Sequence, residues 1–112
     1  HLRTRRQRQM CIRDSDSWAK SLSRELPPCI TINNVLPGFT DTERLGSLAN
    51  SINQKTGKSL DEIHEGWMGQ VPIERLVDPM ETASAITYLA LPAAGAIRGV
   101  SLAVDGGRLR SI

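Results

Sequence analysis

The stretch Cys29 to Thr42, CITINNVLPGFTDT, constrains this chain more than any other. Its apolar positions Ile30, Ile32, Val35 and Leu36 stop at Pro37-Gly38, and a short hydroxyl-rich segment follows. A run of that length predicts a strand buried on both faces, as in a parallel sheet, rather than a helix. In open α/β sheets ligands sit beyond the carboxyl ends of the strands, where the departing loops leave backbone groups free to bond. Gly38 lets a ligand approach the backbone with no Cβ in the way, and Thr40 and Thr42 offer hydroxyls two residues apart. A plain strand and turn satisfies the same pattern, so chemistry alone leaves both readings open.

The segments around this strand alternate with it. From Asp16 onward, Trp18, Leu22 and Leu26 recur every four residues with Ala19 beside them, predicting an amphipathic helix that Pro27-Pro28 ends. Trp18 and the leucines are expected in a core or an interface. After Thr42, Leu45, Leu48, Ala49 and Ile52 have helical spacing and Thr56-Gly57-Lys58 breaks it. Ser59 and Glu62 then form a capping-box pattern ahead of the stripe Leu60, Ile63 and Trp67. This two-helix excursion, Glu43 to Gln70, could act as a lid over an apolar substrate or pack as a permanent hairpin. Asp78, Pro79 and Glu81 are cap signals for a further helix with Ala83, Ile86, Leu89 and Ala90 on its buried side and Pro92 at its end. Gly99 to Val104 predicts a second strand, followed by the turn Asp105-Gly106-Gly107. The order helix, strand, two helices, helix, strand is that of a parallel α/β sheet.

Composition excludes several classes of function. A chain of 112 residues has room for one small domain. No run approaches the roughly 18 apolar residues of a membrane span, and no apolar signal region follows the basic N-terminus. The expectation is a soluble, cytoplasmic protein with no membrane partner. Cys11 and Cys29 form no CxxC, and His1 and His64 stand far apart, so no metal site or disulfide framework is expected. Residues 1 to 13 hold five arginines and no acid, leaving 9 basic against 12 acidic residues in the remaining 99. Such an arm could contact phosphates, but nothing downstream offers a stacking platform or a second basic face, so no nucleic-acid partner is expected. Composition breaks near Asp14, and the segment QRQMCIRDS resembles a translated sequencing adapter. Residues 1–15 are therefore expected to be a foreign or disordered tail, and residues 16–112 the folded domain.

Four stretches, WAKSLSREL, ITINNVLPGFTDT, VPIERLVDPMETASAITYLALP and VSLAVDGG, occur in one order and at a spacing that resembles the C-terminal part of a short-chain dehydrogenase/reductase. The resemblance is to members acting as 3-oxoacyl-(acyl-carrier-protein) reductases, and it covers residues 18 to 107. It implies the C-terminal portion of a doubly wound, Rossmann-like parallel-sheet fold whose N-terminal half is absent. It further implies NADP or NAD as cofactor, a small-molecule carbonyl or alcohol substrate, and a parent homodimer or homotetramer with the Trp18 helix and the last strand at interfaces. Position by position, Pro37 and Gly38 match the family's Pro-Gly at the nicotinamide. The Thr40 backbone would meet the carboxamide and the Thr42 hydroxyl would lie near the phosphates. Asn33 matches a structural Asn, and Glu43 to Gln70 corresponds to the substrate-binding region, longer here than in many acyl-carrier reductases.

The family's glycine-rich loop, catalytic Ser and Tyr-x-x-x-Lys have no counterpart at matching positions. By register the Tyr and Lys would fall near Arg8 and Ile12, and neither Lys20 nor Tyr88 substitutes for them. No catalytic residue is therefore assigned. The chain alone is expected not to reduce carbonyl substrates, since the proton donor is worth roughly 10²–10⁴-fold in rate. NADPH oxidation with 3-oxoacyl thioesters and simple ketones measures this directly. Two predicted strands are also too few to cover four helices, because isolated two-stranded units are marginal. A non-catalytic structural or interaction module is the alternative reading.

Overall fold

The computed structural model describes the backbone of residues 2–110 and the side chains of residues 14–110. The foreign or disordered reading of residues 1–15, and the register positions Arg8 and Ile12, fall largely on side chains outside the described residues. The elements are α1 (Leu2–Glu25), β1 (Asn34–Pro37), α2 (Glu43–Thr56), α3 (Leu60–Met68), α4 (Pro79–Ala90), a 3₁₀ turn (Pro92–Ala94) and β2 (Ser101–Val104). They follow the predicted order. The backbone of α1 begins upstream of the Asp16 start because the first turns carry no apolar spacing by which to recognise a helix.

The strands β1 and β2 form a two-stranded sheet among the described residues. Its register is parallel: the Asn34 N–H donates to the Val100 carbonyl at 2.8 Å, and four residues on the Gly38 N–H donates to the Val104 carbonyl at 3.0 Å. The strand predicted from Ile30 to Leu36 is shorter and shallower than expected. Ile30 is 46% exposed, and β1 is half-buried up to Leu36, with Pro37 exposed. The reason is local. Ile30 bonds back to Pro27 in a turn, and Asn33 uses its side chain in place of a ladder, donating to the Ile97 carbonyl (3.1 Å) and accepting from the Val100 N–H (3.0 Å).

The chain divides into two compact units, to which each strand contributes one half. The first joins residues up to Val35 with Ile86–Leu102. Here α1 buries Ala19 and Ser23, while Trp18 is 62% exposed and does not enter the core. Small residues face inward because α1 runs close to the entry of β2. A Cβ on Gly99, whose φ is +68°, would lie 2.5 Å from Ser23 Oγ. Only glycine permits both that φ and that approach. Arg98 then closes the end of α1, its guanidinium donating to the carbonyls of Ser23 (2.7 Å) and Leu26 (3.1 Å), which a helix terminus otherwise leaves unpaired.

The second unit comprises Leu36–Ala85 with the segment from Ala103 onward. Its core is Ala49, Ile63, Val71 and Val77, with α2 packed on α3 as a helical hairpin. Thr42 and Ser59 cap the two helices, accepting from the N–H groups of Leu45 and Glu62, and α2 ends at Gly57. At α4 the predicted signals meet: Asp78 accepts from the Met80 N–H (2.8 Å), and Glu81 accepts from the Asp78 N–H (3.1 Å). The expected buried side of α4 is corrected by the structure. Ala83, Ile86 and Ala90 are exposed and only Leu89 is half-buried, because two four-residue strands offer too little surface to cover a twelve-residue helix.

Glu81 also forms a two-pronged ion pair with Arg75, at 2.6 and 3.2 Å. The bond from Arg75, joined by that from the Asp78 backbone, lowers the carboxyl from its ordinary 4.5 to about 2. A folded value below the unfolded one adds stability that is complete above pH 4.5 and is lost as pH falls through about 2. Both partners are exposed, so the effect is small. Following the α4 amides by NMR from pH 6 to about 2 should show fraying at Met80 and Glu81 on the acid side, and Glu81→Gln should flatten that dependence.

Candidate functional site

The four residues singled out from the sequence lie together at the carboxyl end of β1, all in the second unit. Pro37 is the last strand residue and is exposed. Gly38 follows it against the turn after β2: a Cβ there would stand 2.6 Å from Asp105 Cα and 2.7 Å from its Cβ. The glycine is thus required by the protein's own packing, whatever else approaches it. The Thr40 hydroxyl folds back to donate to the Gly38 carbonyl at 3.0 Å.

Thr40 also forms a parallel bridge with Val77, in which the Val77 N–H donates to the Phe39 carbonyl (2.8 Å) and the Asp41 N–H to the Val77 carbonyl (2.9 Å). In a β ladder the groups of the intervening residue point to the opposite edge. The N–H and C=O of Thr40 therefore face away from Val77, and neither bonds a backbone partner among the described residues. A donor and an acceptor side by side on an open edge complement a planar amide. Thr42, extended at φ −133° and ψ 161°, spends one lone pair on the Leu45 N–H (3.3 Å), which leaves its O–H able to donate.

This cap was missed in the sequence, where Thr42 stands three residues before Leu45 with no capping partner to signal it. It changes what Thr42→Val reports, because losing the cap costs about 0.5–2 kcal/mol on its own. In the sequence Asp105 stands only as a turn residue. It is 6% exposed, and its carboxylate accepts from the N–H groups of Gly107 (3.0 Å) and Leu109 (2.8 Å). Nothing local reveals that this turn seats Gly38. Phe39, Trp67, His64 and Arg108 were also missed as a group. Phe39 stacks on Trp67 with centroids 5.3 Å apart, Arg108 lies 4.4 Å over the Phe39 ring, and His64 meets Trp67 edge-on at 5.4 Å. Among the described residues no cluster of three or more His, Cys, Asp or Glu could hold a metal ion, and no helix is long and apolar enough to cross a membrane.

The family model described as Enoyl-(Acyl carrier protein) reductase matches residues 15–108. The chain belongs to this family, one of the short-chain dehydrogenases/reductases. The 3-oxoacyl-[acyl-carrier-protein] reductase FabG of Vibrio cholerae serotype O1 is 38% identical over 91 residues, covering 80% of this chain and 33% of the relative. Among solved structures, YwfH, an NADPH dependent reductase involved in bacilysin biosynthesis, superposes with a TM-score of 0.76 at 30% identity, over 87% of this chain and 37% of that one. An actinorhodin polyketide ketoreductase with NADPH gives 0.74 at 32% identity, over 86% and 37%. The short-chain dehydrogenase/reductase chain thus spans about a third of the length of the curated relatives it matches. Its α/β architecture with a parallel sheet is that of the matching part of these Rossmann-type folds.

Proposed function

We propose that this chain carries the nicotinamide-facing segment of an NADP(H)-dependent reductase acting on a small carbonyl or alcohol substrate. The open N–H and C=O of Thr40 are the observation that carries the reading, since a nicotinamide carboxamide presents the matching acceptor and donor. Pro37 and Gly38 set the end of the strand from which that edge is reached, and the Thr42 hydroxyl donates to a phosphate oxygen. When bound, the cofactor supplies or accepts the hydride. The residues here hold and orient it, and none is assigned to proton transfer.

The names of the relatives favour a ketone over an enoyl group and NADPH over NADH: a 3-oxoacyl-[acyl-carrier-protein] reductase and a polyketide ketoreductase with NADPH. A 3-oxoacyl thioester is the substrate class we assign to the parent enzyme, which we place in the cytoplasm as a homodimer or homotetramer. Fluorescence of the full chain tests the cofactor reading. With Trp18→Phe, Trp67 is the remaining indole, and NADPH absorbs in its emission band. Saturable quenching of Trp67 by NADPH, weakened several-fold by Thr42→Val but not by Thr42→Ser, is the expected result. Quenching of equal strength in Thr42→Val and the parent chain would remove the assignment.

A further inference from the structure

Phe39 is the chain's one phenylalanine, and it lies between Gly38 and Thr40. Its ring is contacted by two residues remote in sequence. The Trp67 indole of α3 lies nearly parallel to it, at an interplanar angle of 19°, and the Arg108 guanidinium, two residues beyond the Asp105-Gly106 turn, lies over it at 4.4 Å. Stacked rings and a cation over a ring have preferred orientations, whereas an aliphatic side chain of similar volume fills space without directing it. The ladder on either side of Thr40 begins at this residue: the Phe39 carbonyl accepts from the Val77 N–H, and the Asp41 N–H donates to the Val77 carbonyl. Contacts that fix the Phe39 side chain fix its Cα, and with it one end of the peptide unit that leads into Thr40.

We propose that Phe39, Trp67 and Arg108 are positioning residues: the stack couples α3 to the Gly38–Thr42 segment and sets the direction in which the Thr40 N–H and C=O point. This rests on the nicotinamide reading of that segment, because its consequence is that a ligand touching α3 alters cofactor presentation. The coupling itself is independent of any nucleotide.

Amide hydrogen exchange of the full chain, followed by NMR without nucleotide, tests the coupling. Phe39→Leu and Trp67→Leu should each speed exchange at Asp41 and Val77 by about tenfold, as loss of a stacked pair implies, and leave Asn34 in the other unit unchanged. Phe39→Tyr and Trp67→Phe should restore the slow rates, which a merely space-filling role would not require. Arg108→Met should give a smaller acceleration that Arg108→Lys reverses. Unchanged Asp41 and Val77 rates, equal acceleration at Asn34, failure of the aromatic replacements to rescue, or no slow exchange in the parent chain would each overturn the inference. Coupling without nucleotide binding would sink the cofactor reading alone, and nucleotide binding without coupling would sink this inference alone.

Discussion

Gly38→Ala should destabilise the second unit by on the order of 3 kcal/mol, with no nucleotide present. The added Cβ meets Asp105 Cα at 2.6 Å, its Cβ at 2.7 Å and its carbonyl oxygen at 3.2 Å, so most of what it strikes is backbone and cannot rotate away. Relief would require β1 to part from β2 at the Gly38 to Val104 bond, the last contact before the segment turns toward Thr40. Urea unfolding followed by tryptophan fluorescence measures the loss. A midpoint within error of the parent would show that the turn yields freely. The same clash means that Gly38→Val weakens any ligand site here indirectly, through Asp105, as well as by occupying a ligand's space.

Asp105→Ala should be of similar size, about 3 kcal/mol, by removing the carboxylate that holds the turn on which Gly38 packs. Two N–H groups, those of Gly107 and Leu109, would lose a charged acceptor that is itself buried, and the turn would lose the two bonds that close it. Asp105→Asn should fall between, because its amide oxygen can accept one of the two bonds while its NH₂ faces the other donor. The effects of Gly38→Ala and Asp105→Ala should fall short of additive, since a turn freed from its two carboxylate bonds can shift away from the added Cβ. Denaturation of the two single variants and the double variant checks this. Strict additivity would mean that Gly38 and Asp105 act separately.

What could be read from the sequence follows the range of each interaction. Ser59 with Glu62, and Asp78 with Glu81, were legible because a cap is decided within four residues. The ends of α1 and α4 were legible because Pro27 and Pro92 remove a donor wherever they stand. The inward face of α1 was not. Four-residue spacing points to Trp18, yet Ala19 and Ser23 are the buried residues, and Ser23 lies against Gly99, 76 positions later. The start of β1 was misplaced for a similar reason, as the side chain of Asn33 takes the bonds a strand would have made. At the site, Pro37 to Thr42 announced itself through the Pro-Gly stop and its hydroxyls. The contact with Asp105, the ladder with Val77 and the stack on Trp67 all come from segments that composition and spacing cannot bring together.

Whether the Thr40 edge receives a nicotinamide is decided by amide chemical-shift mapping of the full chain with nicotinamide mononucleotide and, separately, adenosine monophosphate. Both probes carry one phosphate, so the comparison isolates the carboxamide-bearing ring. Saturable shifts are expected at Gly38, Phe39, Thr40 and Thr42 with the nicotinamide nucleotide and much weaker ones with the adenine nucleotide. Equal shifts with both, or shifts confined to residues outside 37–42, would contradict it.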